Sequence, residues 1–258
     1  MNIKEKIEKA YEIGLKVPEV IFIKNYSKDQ LIERTSGKEW NILSKDNLLI
    51  EKINGVEVQY VCYFDGEDFS FKLMAIHDDW LLTGEQGVRL NDNLITIFED
   101  YSHFMDKYFN NLKQDKGFYL LKVILVDNKV YFNDISFALS DGLHNCINNF
   151  YGVDDIYVAL ENGESLKAKD KFGVSMKAFA FPFGFGKIQD KRIEEDEFFI
   201  SLKESYLAVN TGRNIFKSWN KLIKEVDKRK VNNLCYRIDG NKKAGRVYND
   251  LKRKRYIV

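Results

Sequence analysis

The acidic residues Glu51 and Glu57 stand where a strand leaves a core, and Glu57 has the surroundings of a ligand-binding carboxylate. The apolar run Leu48–Ile50 ends at Glu51 and Lys52, as a strand does on entering a cleft, and Asn54-Gly55 supplies a turn. Val58, Tyr60, Cys62 and Phe64 then fall on one face of an extended segment, with Gln59, Val61 and Tyr63 on the other. A carboxylate just beyond such a crossing accepts hydrogen bonds from sugar hydroxyls. On an ordinary hairpin it is a solvated acid, and the segment alone leaves both readings open. Lys24 ends the short strand Val20–Lys24, as a phosphate contact or as a surface lysine. His77, Asp78 and Asp79 are metal-ligating types, but consecutive strand residues face opposite ways. His103 and His144 read as ordinary helix residues, and no Ser-His-Asp or Cys-His pattern has local support.

The chain of 258 residues is 45% hydrophobic and 31% charged, the balance of a globular protein with ample core. No run of about 18 uncharged apolar residues is present, and the N-terminus does not read as a signal peptide. The three widely spaced cysteines suggest reduced thiols, so a cytoplasmic protein without a membrane partner is expected. The net charge of +1 hides an asymmetry: from Lys217 onward fourteen Lys/Arg face four Asp/Glu. Such a basic end meets nucleic-acid or nucleotide phosphates, or docks on acidic protein surface.

The spacing predicts a helix over Lys4–Leu15, ending before Pro18, and a second over Ser27–Glu33 with Ser27 as its cap. Trp40–Ile50 leads into the hairpin around Asn54-Gly55, and Phe69–Ile76 continues the sheet. Leu94, Phe98, Tyr101, Met105, Tyr108 and Leu112 predict a long helix over Asn91–Leu112. Phe118–Val126, the turn Asp127-Asn128 and Lys129–Ile135 form another hairpin, whose first strand is apolar on both faces and should be central. Leu143–Tyr151 is a helix covering the sheet, and a second unit begins near Tyr157. Within that unit Val174–Pro182, Glu197–Ser201 and Tyr206–Asn210 are strand-like, Ser218–Arg229 is amphipathic, and Phe181–Gly186 is an aromatic, glycine-rich turn.

Taken in order, these segments resemble the later half of the ATP-grasp ligases, and within them the glycinamide ribonucleotide synthetases (phosphoribosylamine–glycine ligases). Ile50-Glu-Lys-Ile-Asn-Gly-Val-Glu57 and Phe64-Asp-Gly-Glu-Asp-Phe69 resemble that family's hinge strand and its Gly-x-Glu. Leu82-Thr-Gly-Glu-Gln-Gly87 is similar to its Gly-Asp-x-Gly loop, and Gly117–Ser136 to the hairpin carrying its metal ligands. Asn210-Thr-Gly-Arg213, the helix from Ser218 and Tyr236-Arg-Ile-Asp-Gly240 follow the order of its small C-terminal domain. The resemblance implies an α+β fold: a truncated ATP-grasp-like core over residues 1–155 and a small basic C-terminal α/β domain over 156–258.

The resemblance further implies ATP and Mg2+ as cofactors. Lys24, Glu51, Glu57, Arg213 and Arg237 would be the cofactor-binding residues, and Asn133 and Asp134 the metal-side residues. The pattern is broken in several places. The metal-ligand positions match Asn133 and Ile135, the family's Asp-His-Lys-Arg run aligns with His77-Asp-Asp-Trp80, and Gly37 is the only glycine between Pro18 and Leu48. Asp134 substitutes only if the register moves by one residue, which turns a strand side chain to the other face. These losses favour a degenerate protein that binds a nucleotide, nucleic acid or a ligase partner subunit without classical ligation. The alternative is an active ATP-dependent carboxylate–amine ligase, in purine nucleotide synthesis or base modification, with relocated catalytic groups.

Overall fold

Val58, Tyr60, Cys62 and Phe64 are buried on one side of their strand, and Val61 and Tyr63 on the other, so this strand lies inside a sheet covered on both faces. The computed structural model describes residues 2–43, 47–83, 89–100, 103–112, 115–180, 205–229 and 234–257. The strand, β4 (Val56–Phe64), pairs antiparallel with β5 (Phe69–Thr83) and β7 (Gly117–Val126). β5 continues to β6 (Arg89–Phe98), then β9 (Phe172–Ala180) and β10 (Ser205–Gly212), while β8 (Lys129–Ser136) follows β7 at the opposite edge. β11 (Leu234–Cys235) adds to the end of β9. Strands from both sides of residue 155 thus share one sheet, joined where Leu94 of β6 pairs with Met176 of β9. A smaller antiparallel sheet has the order β1 (Val20–Phe22), β3 (Leu48–Glu51), β2 (Trp40–Leu43).

Helices cover both faces of the large sheet. α1 (Ile3–Glu12), α3 (Asp106–Asn110), α6 (Ile215–Asp227) and α7 (Gly240–Arg253) contribute to the apolar layer that contains Tyr60, Met74, Phe98 and Met176. α4 (Asp141–Tyr151) and α5 (Ile156–Glu161) close the layer that contains Val61, Leu73 and Ile97. α2 (Lys28–Thr35) lies beyond β1 and starts at Ser27, whose side chain and Gln30 complete a capping box. Trp219 of α6 is fully buried, and its indole N–H donates to Thr96 Oγ1 of β6 at 3.2 Å. Cys62 and Cys146 are free and buried, and desolvation pushes both thiols upward in pKa. Among the described residues no helix is long and apolar enough to cross a membrane.

Two expectations are corrected. The long helix over Asn91–Leu112 is instead strand β6, a short turn of 3-10 helix and the five-residue α3. Leu94 and Phe98 share a face at a spacing of four in a strand as well as in a helix, so that pair does not separate the two. Ile95 and Ile97 fill the opposite face, and this β-branched run selects the strand. The second correction concerns Asn54-Gly55: β3 and β4 lie in different sheets, so the segment between them is a crossover and not a hairpin turn. The left-handed pair of a two-residue hairpin occurs at Asp127 (φ 43°) and Asn128 (φ 62°), as the sequence predicts there. Phe181–Gly186, Glu197–Ser201 and residues 84–87 of the glycine loop lie outside the described residues.

Because β6 and α6 share one apolar layer, Phe98→Ala and Trp219→Ala should each lower the same cooperative urea transition, by about 3–5 kcal/mol. Two separate transitions, with Trp219→Ala affecting one alone, would refute a shared core.

Candidate functional site

Where the chain crosses from the small sheet to the large one, a cavity of about 510 Å3 opens between them. Gly55 brings the crossing hard against β7: a Cβ there would stand 2.6 Å from Val126 Cγ2 and 2.7 Å from the Leu125 carbonyl oxygen. Ile3 and Ile7 of α1, Val20 and Ile50 of the small sheet, and Ile124 and Phe132 of the large one form the apolar wall. Asn41, Glu51, Lys52, Glu57, Asn133 and Asp134 supply its polar groups.

The strand register explains how Asn133 and Asp134 both reach this space. Phe132 pairs with Val123 and Asp134 with Lys122, leaving Asn133 as an extra residue in β8. Such a bulge breaks the alternation that would otherwise send neighbouring side chains to opposite faces. The Asn133 amide donates to Glu57 Oε1 at 2.5 Å, and Lys6 Nζ of α1 meets Asp134 Oδ1 at 2.6 Å. Glu51 also lines the cavity, but its carboxylate accepts the Glu19 backbone N–H at 3.1 Å and pairs with Lys38 at 3.1 Å.

Four residues singled out from the sequence, Glu51, Glu57, Asn133 and Asp134, therefore converge. The other three stand elsewhere. Lys24 is exposed on the 3-10 turn Ile23–Asn25 and does not line the cavity. Arg213 is exposed in the turn between β10 and α6, beside the sheet edge opposite β8. Arg237 is engaged by Asp78 of β5 at 2.7 Å and by Asp239 at 2.8 Å. Sequence reasoning missed Asn41 and Lys52 as lining residues and Lys6 as the partner of Asp134. Ile3 and Ile7, one helical turn apart, marked the face of α1 that packs here, but nothing in the chain marked Asn41.

The donor set divides the implied cofactor. An apolar wall with one carboxylate held by an amide suits an aromatic base and its sugar hydroxyls. Mg2+ asks for hard oxygen ligands, usually several carboxylates. Here Asn133 turns its amide nitrogen to Glu57, Asp134 is tied to Lys6, and Ile135 is buried in the core. Among the described residues no group of three His, Cys, Asp or Glu is placed to hold a metal ion, so these residues do not fit the metal.

Two sheets meeting across such a cleft give an α+β fold that is ATP-grasp-like. Among the proteins it resembles in structure are phosphoribosylamine–glycine ligases. The Thermotoga maritima enzyme aligns with a TM-score of 0.58 and 16% identity, over 90% of this chain and 76% of that one. Phosphoribosylglycinamide synthetase from Anaerococcus prevotii aligns at 0.55 and 12%, over 92% and 73%. The biotin carboxylase domain of a single-chain bacterial carboxylase aligns at 0.55 and 8%, over 92% and 65%. No family profile matches the sequence, and neither does any curated protein.

Asp78 is the centre of a charge cluster with Arg237 and Lys243. Burial would raise its pKa, but hydrogen bonds from Lys243 and Arg237 outweigh this and hold the carboxyl below its ordinary range. The depressed folded-state pKa means stability present above an unfolded value near ~3.9 and lost as pH falls through the folded value. With the Asp78 and Arg237 side chains only 14% and 12% exposed, Asp78→Asn should cost about 2–3 kcal/mol at neutral pH. The gap to the parent should narrow between about pH 5 and pH 2, followed by urea denaturation. A gap independent of pH would show that the cluster acts only through packing.

Proposed function

We propose that this is a non-ligating ATP-grasp-like protein whose cavity binds the nucleoside part of a nucleotide. The observation that carries the reading is the Glu57–Asn133 pair at 2.5 Å, set in a 510 Å3 cavity beside the hinge residues Glu51–Ile53. The base packs against Ile50, Ile124 and Phe132, and the Glu57 carboxylate accepts the sugar hydroxyls, with Asn133 keeping its other oxygen in place. The likeness to phosphoribosylamine–glycine ligases supports the choice of ligand class. The engagement of Asp134 by Lys6 and the apolar Ile135 support the absence of ligation, since neither offers a ready oxygen ligand for a phosphate-bridging metal.

Calorimetry with ATP and with adenosine, each with Mg2+ and with a chelator, tests both parts. The expected result is binding insensitive to the metal and weakened about 10- to 100-fold in Glu57→Gln, the loss of a hydrogen bond to a charged group. Failure of both ligands to bind at millimolar concentration would sink the nucleoside reading. Magnesium-dependent release of phosphate from ATP, stimulated by an amine and a carboxylate, would leave that reading standing and overturn the non-ligating one.

A further inference from the structure

The basic C-terminal residues are arranged as a surface, not scattered. Along α6, Lys217, Lys221, Lys224 and Lys228 recur at i, i+4, i+7 and i+11, and all four are exposed. Along α7, Lys242, Arg246, Asn249 and Arg253 have the same spacing and are likewise exposed. That spacing keeps each set in one stripe. The opposite sides of both helices are in the core, through Ile215, Trp219, Leu222 and Val226 on α6 and Ala244, Tyr248 and Leu251 on α7. The two stripes therefore face solvent on the outer side of one two-helix layer.

The helices touch each other between the stripes. Asn241 Nδ2 donates to Asn220 Oδ1 at 3.3 Å, and a Cβ on Gly245 would meet the Phe216 ring at 2.6 Å. Phe216, packed at this seam, still exposes 44% of its surface. An aromatic ring is thus presented between two rows of cations. The nearby acids are each engaged: Glu225 binds Asn210 at 3.0 Å and approaches Lys221 at 4.0 Å, Asp227 accepts from Tyr236, and Asp250 pairs with Arg253 at 2.8 Å. Lys217, Lys224, Lys228, Lys242 and Arg246 make no ion pair among the described residues.

We propose that the α6–α7 face binds single-stranded nucleic acid, its phosphates along the two cationic stripes and a base stacked on Phe216. Repeated cations on paired helices match a repeating polyanion. The exposed ring selects a strand whose bases are free to leave the stack, because every base offers a face to an aromatic side chain. A duplex keeps its bases stacked and uses only the charges. The face is distinct from the cavity: none of the stripe residues lines it, and α6 packs on β9 and β10, at the sheet edge opposite β7 and β8.

Fluorescence anisotropy with a labelled oligo-dT strand tests this on the full chain. Single-strand binding weakens by about 0.7 log units per phosphate contact per tenfold rise in salt, so five contacts mean a roughly three-hundredfold loss between 50 and 250 mM salt. Lys224→Glu with Arg246→Glu should weaken binding at least about tenfold, and Phe216→Ala several-fold, with thermal melts showing each variant folded. Charge reversal at Lys28, exposed on α2, should leave the affinity unchanged. Absence of salt-dependent binding at 50 mM salt, or equal affinity of the α6–α7 variants and the parent, would overturn the proposal. So would polyglutamate binding as tightly as the oligonucleotide with no response to Phe216→Ala, which would assign the face to an acidic protein.

Discussion

Everything in this molecule is built around β4, a strand with neighbours on both sides and apolar layers on both faces. From Val58 onward it offers no surface to water, and its backbone groups are taken by β5 and β7. Its only free ground is its beginning, where Val56 and Glu57 emerge from the crossover. The path of that crossover is set by Gly55, which lies closer to β7 than any side chain permits. The position of Glu57 is thus a consequence of how the two sheets are joined. A carboxylate held this way at the edge of a rigid sheet is pre-oriented, so little conformational freedom is left to lose when a ligand meets it.

A second constraint refines the site. The bulge in β8 places Asn133 and Asp134 on the cavity together, one against Glu57 and the other against Lys6. Without the extra residue, the alternation of the strand would send one of them away. α1 takes part in the site beside the bulge, with Ile3 and Ile7 lining the cavity and Lys6 paired with Asp134. The carboxylates of the cavity are accordingly engaged by other elements: Glu57 by Asn133 of β8, Asp134 by Lys6 of α1 and Glu51 by Lys38. On the large sheet, α6 and α7 direct their apolar stripes inward. The abundance of Lys and Arg in the last forty or so residues is therefore turned outward.

Much of the fold is legible in the chain because burial on two faces leaves two interleaved apolar series. Val58 to Phe64 and Tyr119 to Val126 are read correctly for that reason, as are the helix capped by Ser27 and, by their spacing, α1, α4 and α6, whereas α5 and α7 are missed. Asn91–Leu112 misleads because a spacing of four satisfies both periods, and only the β-branched Ile95, Thr96 and Ile97 discriminate. Asn54-Gly55 misleads in another way: the same dipeptide that makes a tight turn also allows a close backbone approach, and local sequence does not separate these uses.

The sequence by itself determined the alternation of the strands, the amphipathic stripe of α6, the resemblance in motif order and the carboxylate at Glu57. These are properties of residue type and short-range period, which depend only on neighbours along the chain. The tertiary structure alone decided that Glu57 meets Asn133, that Asp134 is held by Lys6, and that Arg237 pairs with Asp78. The reason is separation: the partners stand 76, 128 and 159 residues apart, and only sheet register, a single bulge and the packing of α1 and the segment before α7 bring them within hydrogen-bond reach.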